Sequence, residues 1–174
     1  MKLFKILTLF FAIYFFNHGH LYSDIPHYLD FKFILNQSDA GKKAQDQLKK
    51  KLNDGVAKLK KSEESLRAKE KEIIKQKKLI SAEDYKKKVT ELRSKVNKLQ
   101  NDRKALFDNI AKTRAKAKSE LLKNLNPIIT EYMKEKKIRM VVDKKSLLLA
   151  DENLDITEEI MKLLNKKLKS IKLN

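Results

Sequence analysis

The chemistry available to this 174-residue sequence is concentrated in its lysines, which cluster at 49–51, at Lys75, Lys77 and Lys78, and at Lys86, Lys87 and Lys88. Ammonium groups at that density attract anions over distance, but they do not by themselves break bonds. The residues needed for bond-breaking are missing or badly spaced. There is no Cys, which excludes a thiol nucleophile, a disulfide and a Cys-based zinc site. Glycine occurs only at 19, 41 and 55, too sparsely for a loop that cradles phosphates. His27 is the one histidine beyond residue 23, and no nucleophile–base constellation can be drawn around it. A structural place in a strand fits it better. Glu63, Glu64, Glu70 and Glu72 alternate with lysines, the pattern of a solvated ion-pair face rather than of metal ligands. No catalytic residue, cofactor or metal is assigned, and the chain is not read as an enzyme.

The charge is unevenly placed. Residues 42–118 hold 26 basic and 11 acidic side chains, a net +15, whereas residues 24–41 and 119–174 hold 13 and 12, a net +1. Taken singly, most of these lysines are a solvated helix face. Taken together they are a field, because acidic residues would have solubilised the same helices equally well, and a field of one sign selects partners of the other.

The basic segment is helical by pattern. Tyr85, Val89, Leu92, Val96, Leu99, Leu106 and Ile110 recur at spacings of four and three, with Arg103 in the skipped position and Ala117 continuing the register. That is a heptad seam sustained over about four repeats. Upstream, Leu48, Leu52, Val56, Leu59, Leu66, Ile73 and Ile80 make a gappier seam, broken at Glu63, Glu70 and Lys77. Between the two, Ser81 and Asp84 have the spacing of a capping box, so a reversal is expected near 79–82. An antiparallel hairpin then sets Ile73 near Val89, Leu66 near Val96 and Leu59 near Leu106. From Lys42 to Lys78 such an arm extends roughly 55 Å.

The flanking segments supply a small body. A first strand is expected over His27–Phe33, from the alternation of Tyr28, Leu29, Phe31 and Phe33. Leu121, Leu122, Leu125, Ile128, Ile129 and Tyr132 broaden the apolar face of the second arm helix, where Pro127 should kink the helix or mark its entry into the body. Ile138–Asp143 and Leu147–Ala150 are expected as further strands. A last helix opens at Asp155–Ile156–Thr157–Glu158, with Ile160, Leu163, Leu164, Leu168 and Ile171 on one side. A core this small favours oligomerisation, and an apolar run such as Met140–Val142 favours burial on both faces.

At the N-terminus, Lys2 and Lys5 precede and interrupt a run, Leu3–Phe16, that is otherwise apolar but for Thr8 and is too short to span a bilayer. A basic start, a short apolar stretch and a polar exit describe a secretory signal peptide over residues 1–23, with Ser23 or Gly19 closing the candidate cleavage motifs. An uncleaved anchor is the alternative. Absence of Cys is compatible with an oxidising compartment, and the short Phe-rich leader favours the periplasm.

The order of these elements resembles the OmpH-like (Skp) family of periplasmic chaperones. The resemblance covers essentially the whole exported chain. Its most specific pieces are Tyr28–Leu29–Asp30, the helix start Asn36–Gln37–Ser38–Asp39–Ala40–Gly41–Lys42, Met140–Val141–Val142–Asp143 and Asp155–Ile156–Thr157. It implies an α+β, mostly helical homotrimer: a body at 24–41 and 119–174 that trimerises through a β-barrel, and a coiled-coil hairpin arm at 42–118. It also implies an ATP-independent holdase that keeps unfolded outer-membrane proteins between its arms and assists their delivery. The chain departs from the family in lacking an obvious small-x-small cleavage site and in having few aromatics on its arms.

On this reading Lys75, Lys77, Lys78, Lys86, Lys87 and Lys88 at the arm tip are candidate contacts for clients or anionic lipids. Leu29, Phe31, Met140, Val141 and Val142 are candidates for the oligomer interface. Two other classes compete. Heptads alone fit a structural tether between envelope layers. Basic helices also suit nucleic acid, but export would separate the chain from it, and no aromatic or Arg-rich platform is present.

Overall fold

The computed structural model describes residues 25–173, so the expected signal peptide lies outside the described residues. Strand β1 (His27–Leu29) is followed by helices α1 (Phe31–Gln37), α2 (Asp39–Gln76) and α3 (Ala82–Lys136), strand β2 (Val141–Asp143) and helix α4 (Thr157–Lys167). The two strands are parallel, with His27 opposite Val141, Tyr28 opposite Val142 and Leu29 opposite Asp143. Parallel neighbours need a long crossover connection. Here the whole arm is that crossover.

Local capping sets most boundaries. Asp30 ends β1 because its carboxylate accepts the Phe33 N–H at 2.7 Å and caps α1. Expected strand residues Phe31 and Phe33 are therefore helical, and the first strand stops at Leu29. Ser38, fully buried, divides α1 from α2: its N–H donates to the Ile34 carbonyl while its hydroxyl accepts from Gly41 N–H at 3.2 Å. Ser81 caps α3 as its spacing with Asp84 predicts, accepting the Asp84 N–H at 3.1 Å. The reversal occupies 77–81, within two residues of its expected place.

Helix α3 runs unbroken through Pro127. The apolar residues on either side of that proline, Leu121, Leu125, Ile128 and Ile129, join Leu29, Ile34, Ala40, Ile156, Ile160, Leu164 and Ile171 in the body core. Pro127 thus lies where the arm enters the body. The helix ends at Lys137, whose left-handed φ of 56° lets the Ile138 N–H return to the Met133 carbonyl. After β2, Lys144–Ser146 forms a single tight turn, and the strand expected at Leu147–Ala150 is absent from this chain. Leu148 and Leu149 stand 97% and 91% exposed there. A strand is defined by its ladder, and among the described residues this run pairs with no other strand. Helix α4 stops at Lys167, leaving Leu163 exposed and Leu168 and Ile171 beyond its end.

Two glycines sit at close approaches. A Cβ on Gly41 would lie 2.1 Å from the Leu35 carbonyl oxygen, a backbone atom that cannot step aside. A Cβ on Gly55 would lie 2.4 Å from the Leu106 Cδ1 across the hairpin, where a flexible side chain can move. Gly41→Ala is expected to destabilise the body by about 1–3 kcal/mol, as overpacking does. Gly55→Ala should change stability by less than about 1 kcal/mol, because the gain in helix propensity offsets the crowding. Urea unfolding followed by circular dichroism separates the two; equal losses would refute the distinction between backbone and side-chain obstruction.

Candidate functional site

The arm is the antiparallel pair α2–α3, and its seam follows the two heptad series. Burial along it is graded. Near the root, Ala44, Leu48, Ile110, Thr113 and Ala117 are buried; towards the tip Leu99 is the last buried residue, and Val96 is 40% exposed. The polar interruptions of the two seams meet: Glu63 accepts from Arg103 across the hairpin at 3.4 Å and from Arg67 along its own helix at 2.9 Å. Exposed pairs of this kind contribute at most about 1 kcal/mol. What they do here is align residues that neither seam can bury.

The six tip lysines are together at the end of the arm but are not equivalent. Lys75, Lys77, Lys78, Lys86 and Lys87 are exposed, whereas Lys88 is half-buried and donates to the Gln76 side chain across the hairpin at 2.8 Å. Lys77 also lies 5.9 Å from the Tyr85 ring centroid. Leu79, 81% exposed, stands at the reversal among them.

The body candidates divide. Leu29 is fully buried within its own chain, and Phe31 packs from a helix rather than from a strand edge. Met140 is 55% exposed, and Val141 and Val142 are half-buried in β2. His27 holds the start of β1, its N–H donating to the Met140 carbonyl at 3.0 Å. Among the described residues no group of three His, Cys, Asp or Glu side chains is placed to hold a metal ion. No described helix is long and apolar enough to cross a membrane.

Sequence reasoning missed the fastening that ties together the body elements flanking the arm. Asp155 accepts from the Thr157 N–H at 2.9 Å, from the Thr157 hydroxyl, and from Lys144 at 2.9 Å. Thr157 in turn accepts the Asp30 N–H at 2.9 Å, and the Ile156 N–H donates to the Tyr28 carbonyl. Lys144 lies 5.6 Å from the Tyr28 ring centroid. One carboxylate therefore ties β1, the turn after β2 and the start of α4. A second tie joins Asp39, in the first turn of α2, to Lys169 at 2.9 Å. The signal for the first was the Asp-x-Thr spacing, a local side-chain-to-backbone turn.

The described residues thus form a small two-stranded body carrying one long basic helical hairpin. The family model described as outer membrane protein (OmpH-like) matches residues 27–164, and the chain belongs to that family. The family is periplasmic and consists of chaperones, not enzymes. Among solved structures, the chain is similar to a Caulobacter crescentus CB15 protein described as a candidate outer membrane chaperone (OmpH-like). The TM-score is 0.81 at 21% identity, over 86% of this chain and 90% of that one. At that identity the likeness concerns the fold. No curated protein matches.

Burial pushes the Asp155 carboxyl up, but the hydrogen bonds from Thr157 and Lys144 outweigh it and hold it below the usual range. The hydrogen bond from Lys169 likewise holds Asp39 down. A carboxyl depressed on folding contributes stability that is present above its ordinary pKa, about 4, and lost as pH falls through the folded value. Asp155→Asn is expected to cost about 1–2 kcal/mol near neutrality and to flatten the loss of stability on acidification. Urea unfolding across the acid range measures both, and an unchanged acid slope would contradict the role given to Asp155.

Proposed function

We propose that this chain is an ATP-independent periplasmic holdase that captures unfolded outer-membrane proteins between basic arms and assists their delivery to the outer membrane. The observation that carries this reading is the net +15 on residues 42–118, set on arms that project from a nearly neutral body. An acidic unfolded chain is drawn in at long range by that field, and screening by salt weakens the attraction. Many weak contacts then hold it without imposing a conformation. Release follows when the client's own folding in the membrane is worth more than the diffuse binding. Residues 1–23 act as the export signal. The exposed tip lysines, Lys75, Lys77, Lys78, Lys86 and Lys87, also meet anionic lipid head groups, each worth about 1 kcal/mol near such a surface.

Three copies associate through the body. A two-stranded sheet is marginal on its own, and a parallel one is normally covered on both faces. Met140, Val141, Val142 and the exposed Leu148 and Leu149 supply the apolar edge that neighbours cover. Pairing Leu147–Ala150 with a neighbour's strands closes the small sheets into a barrel and removes the open edges.

An acid-rich outer-membrane barrel protein diluted out of urea tests capture by light scattering. The expected result is suppression of aggregation at a fixed oligomer-to-client ratio, weakened at high salt. No suppression at any ratio by folded, oligomeric protein would overturn the holdase reading and favour an envelope tether. Sedimentation velocity tests the assembly: the wild type is expected to be trimeric, and Leu148→Ser with Leu149→Ser to shift it to smaller species while the helical content persists. A trimer unaffected by that pair would place the interface elsewhere.

A further inference from the structure

The two faces of the distal arm differ in a way that a heptad seam does not require. On one face, Ile73, Ile74, Val89 and Val96 line a groove of about 430 Å³, with Tyr85 at its tip end. It continues rootwards, through the shared residues Glu70, Leu92 and Val96, into a hollow of about 230 Å³ that ends at Arg103. The opposite face has a smaller hollow of about 190 Å³ edged by Lys69, Glu72, Lys88, Glu91 and Lys95, and the Lys88–Gln76 hydrogen bond crosses between the helices there. Ile74 lies outside both heptad series and is 60% exposed on the apolar side.

The cations segregate too. The sequence has five arginines, and three of them, Arg67, Arg93 and Arg103, edge the apolar groove, while the opposite hollow has only lysines. Arginine presents a planar fork of donors suited to carbonyl and carboxylate oxygens, and gives up its hydration more readily than lysine. Glu63 occupies part of Arg67 and Arg103, and Glu70 is the other carboxylate in the groove, so three guanidiniums face two carboxylates inside the arm's larger positive field.

We propose that this groove binds an extended segment of acidic polypeptide whose side chains alternate between apolar and acidic. The inference rests on the holdase reading and assigns it a contact surface. From Tyr85 to Arg103 the groove spans 18 residues of helix, about 27 Å. That length accepts about eight residues of extended chain, close to the roughly 9–11 of a strand that spans an outer membrane. A strand laid on the groove turns alternate side chains down onto Ile74, Val89 and Val96. Its backbone carbonyls then point sideways, towards the arginines on the rims. The remaining side chains point outward into the field of the arm, which favours acids there. Because the arginines meet main-chain oxygens, the hold depends on alternation and charge rather than on one sequence.

The test uses the full-length exported protein and a fluorescein-labelled ten-residue peptide alternating Val and Glu, with a control peptide of the same composition in which the valines are grouped. Fluorescence anisotropy compares wild type, Ile74→Ser with Arg93→Gln on the groove face, and Lys69→Gln with Lys95→Gln on the opposite face. All four positions are exposed, and circular dichroism verifies that the hairpin is intact. The groove pair is expected to raise Kd about tenfold, equivalent to about 1.4 kcal/mol. The opposite pair should raise it less than threefold, and the grouped peptide should bind more weakly than the alternating one. Equal losses from both faces, or equal binding of both peptides, would overturn the groove in favour of a uniform charge field. Scattering assays on the same preparations keep the two claims apart. Wild type that protects a client without preferring the groove overturns the groove alone, and wild type that protects nothing overturns the holdase as well.

Discussion

Two helices in contact share a single seam, and the properties of this arm follow from how little that seam can bury. A bundle of three or four helices surrounds its apolar residues; a hairpin covers each of them on one side only. Near the root the deficit is met by the body, where Leu121, Leu125 and Ile128 pack into the core and Ala44 and Leu48 lie covered. Beyond Leu99 no residue of the hairpin is fully buried. Beside Leu99 the Glu63–Arg103 pair links the two helices at little energetic gain. The arm is consequently tight where it is rooted and open, with accessible apolar surface, where it reaches outward.

Charge acts on the same feature. Lysines crowded along a thin hairpin repel one another, which costs stability, and the sequence keeps them across the whole of 42–118. Repulsion within the arm is tolerable because most of the ammonium groups are exposed and screened. On the proposed holdase function the benefit is reach: a positive projection draws in an acidic chain before any short-range contact forms. Root and tip therefore differ: Asp155 and Thr157 fasten the body elements that flank the arm, Asp39 ties the first turn of α2 to Lys169, and the distal hairpin projects from them.

Much of this was legible in the sequence because long periodic segments and caps are local signals. The spacings from Tyr85 to Ile110 define one seam, and Ser81 with Asp84 marks the reversal in the right place. The misread elements are those whose outcome depends on competition. Tyr28, Leu29, Phe31 and Phe33 alternate like a strand, yet Asp30 captures the Phe33 N–H and turns the chain into a helix after three strand residues. Leu147–Ala150 is apolar enough for a strand, but a strand needs a neighbour, and among the described residues none pairs with it. The Asp155 fastening was invisible for another reason: Lys144 lies 11 residues from Asp155, and Asp30 lies 127 residues from Thr157, the residue it bonds. The asymmetry of the arm's faces needed both helices in register before Arg67, Arg93 and Arg103 could be seen on one side.

The most direct measurement of capture by charge is an association rate. A urea-unfolded acidic barrel protein carrying a fluorophore is mixed with the exported protein in a stopped-flow instrument over a series of salt concentrations. Electrostatic capture predicts a fast association whose rate falls steeply as ionic strength rises, with a weak dependence for a basic client of the same length. A rate that is insensitive to salt, or equal for acidic and basic clients, would contradict it.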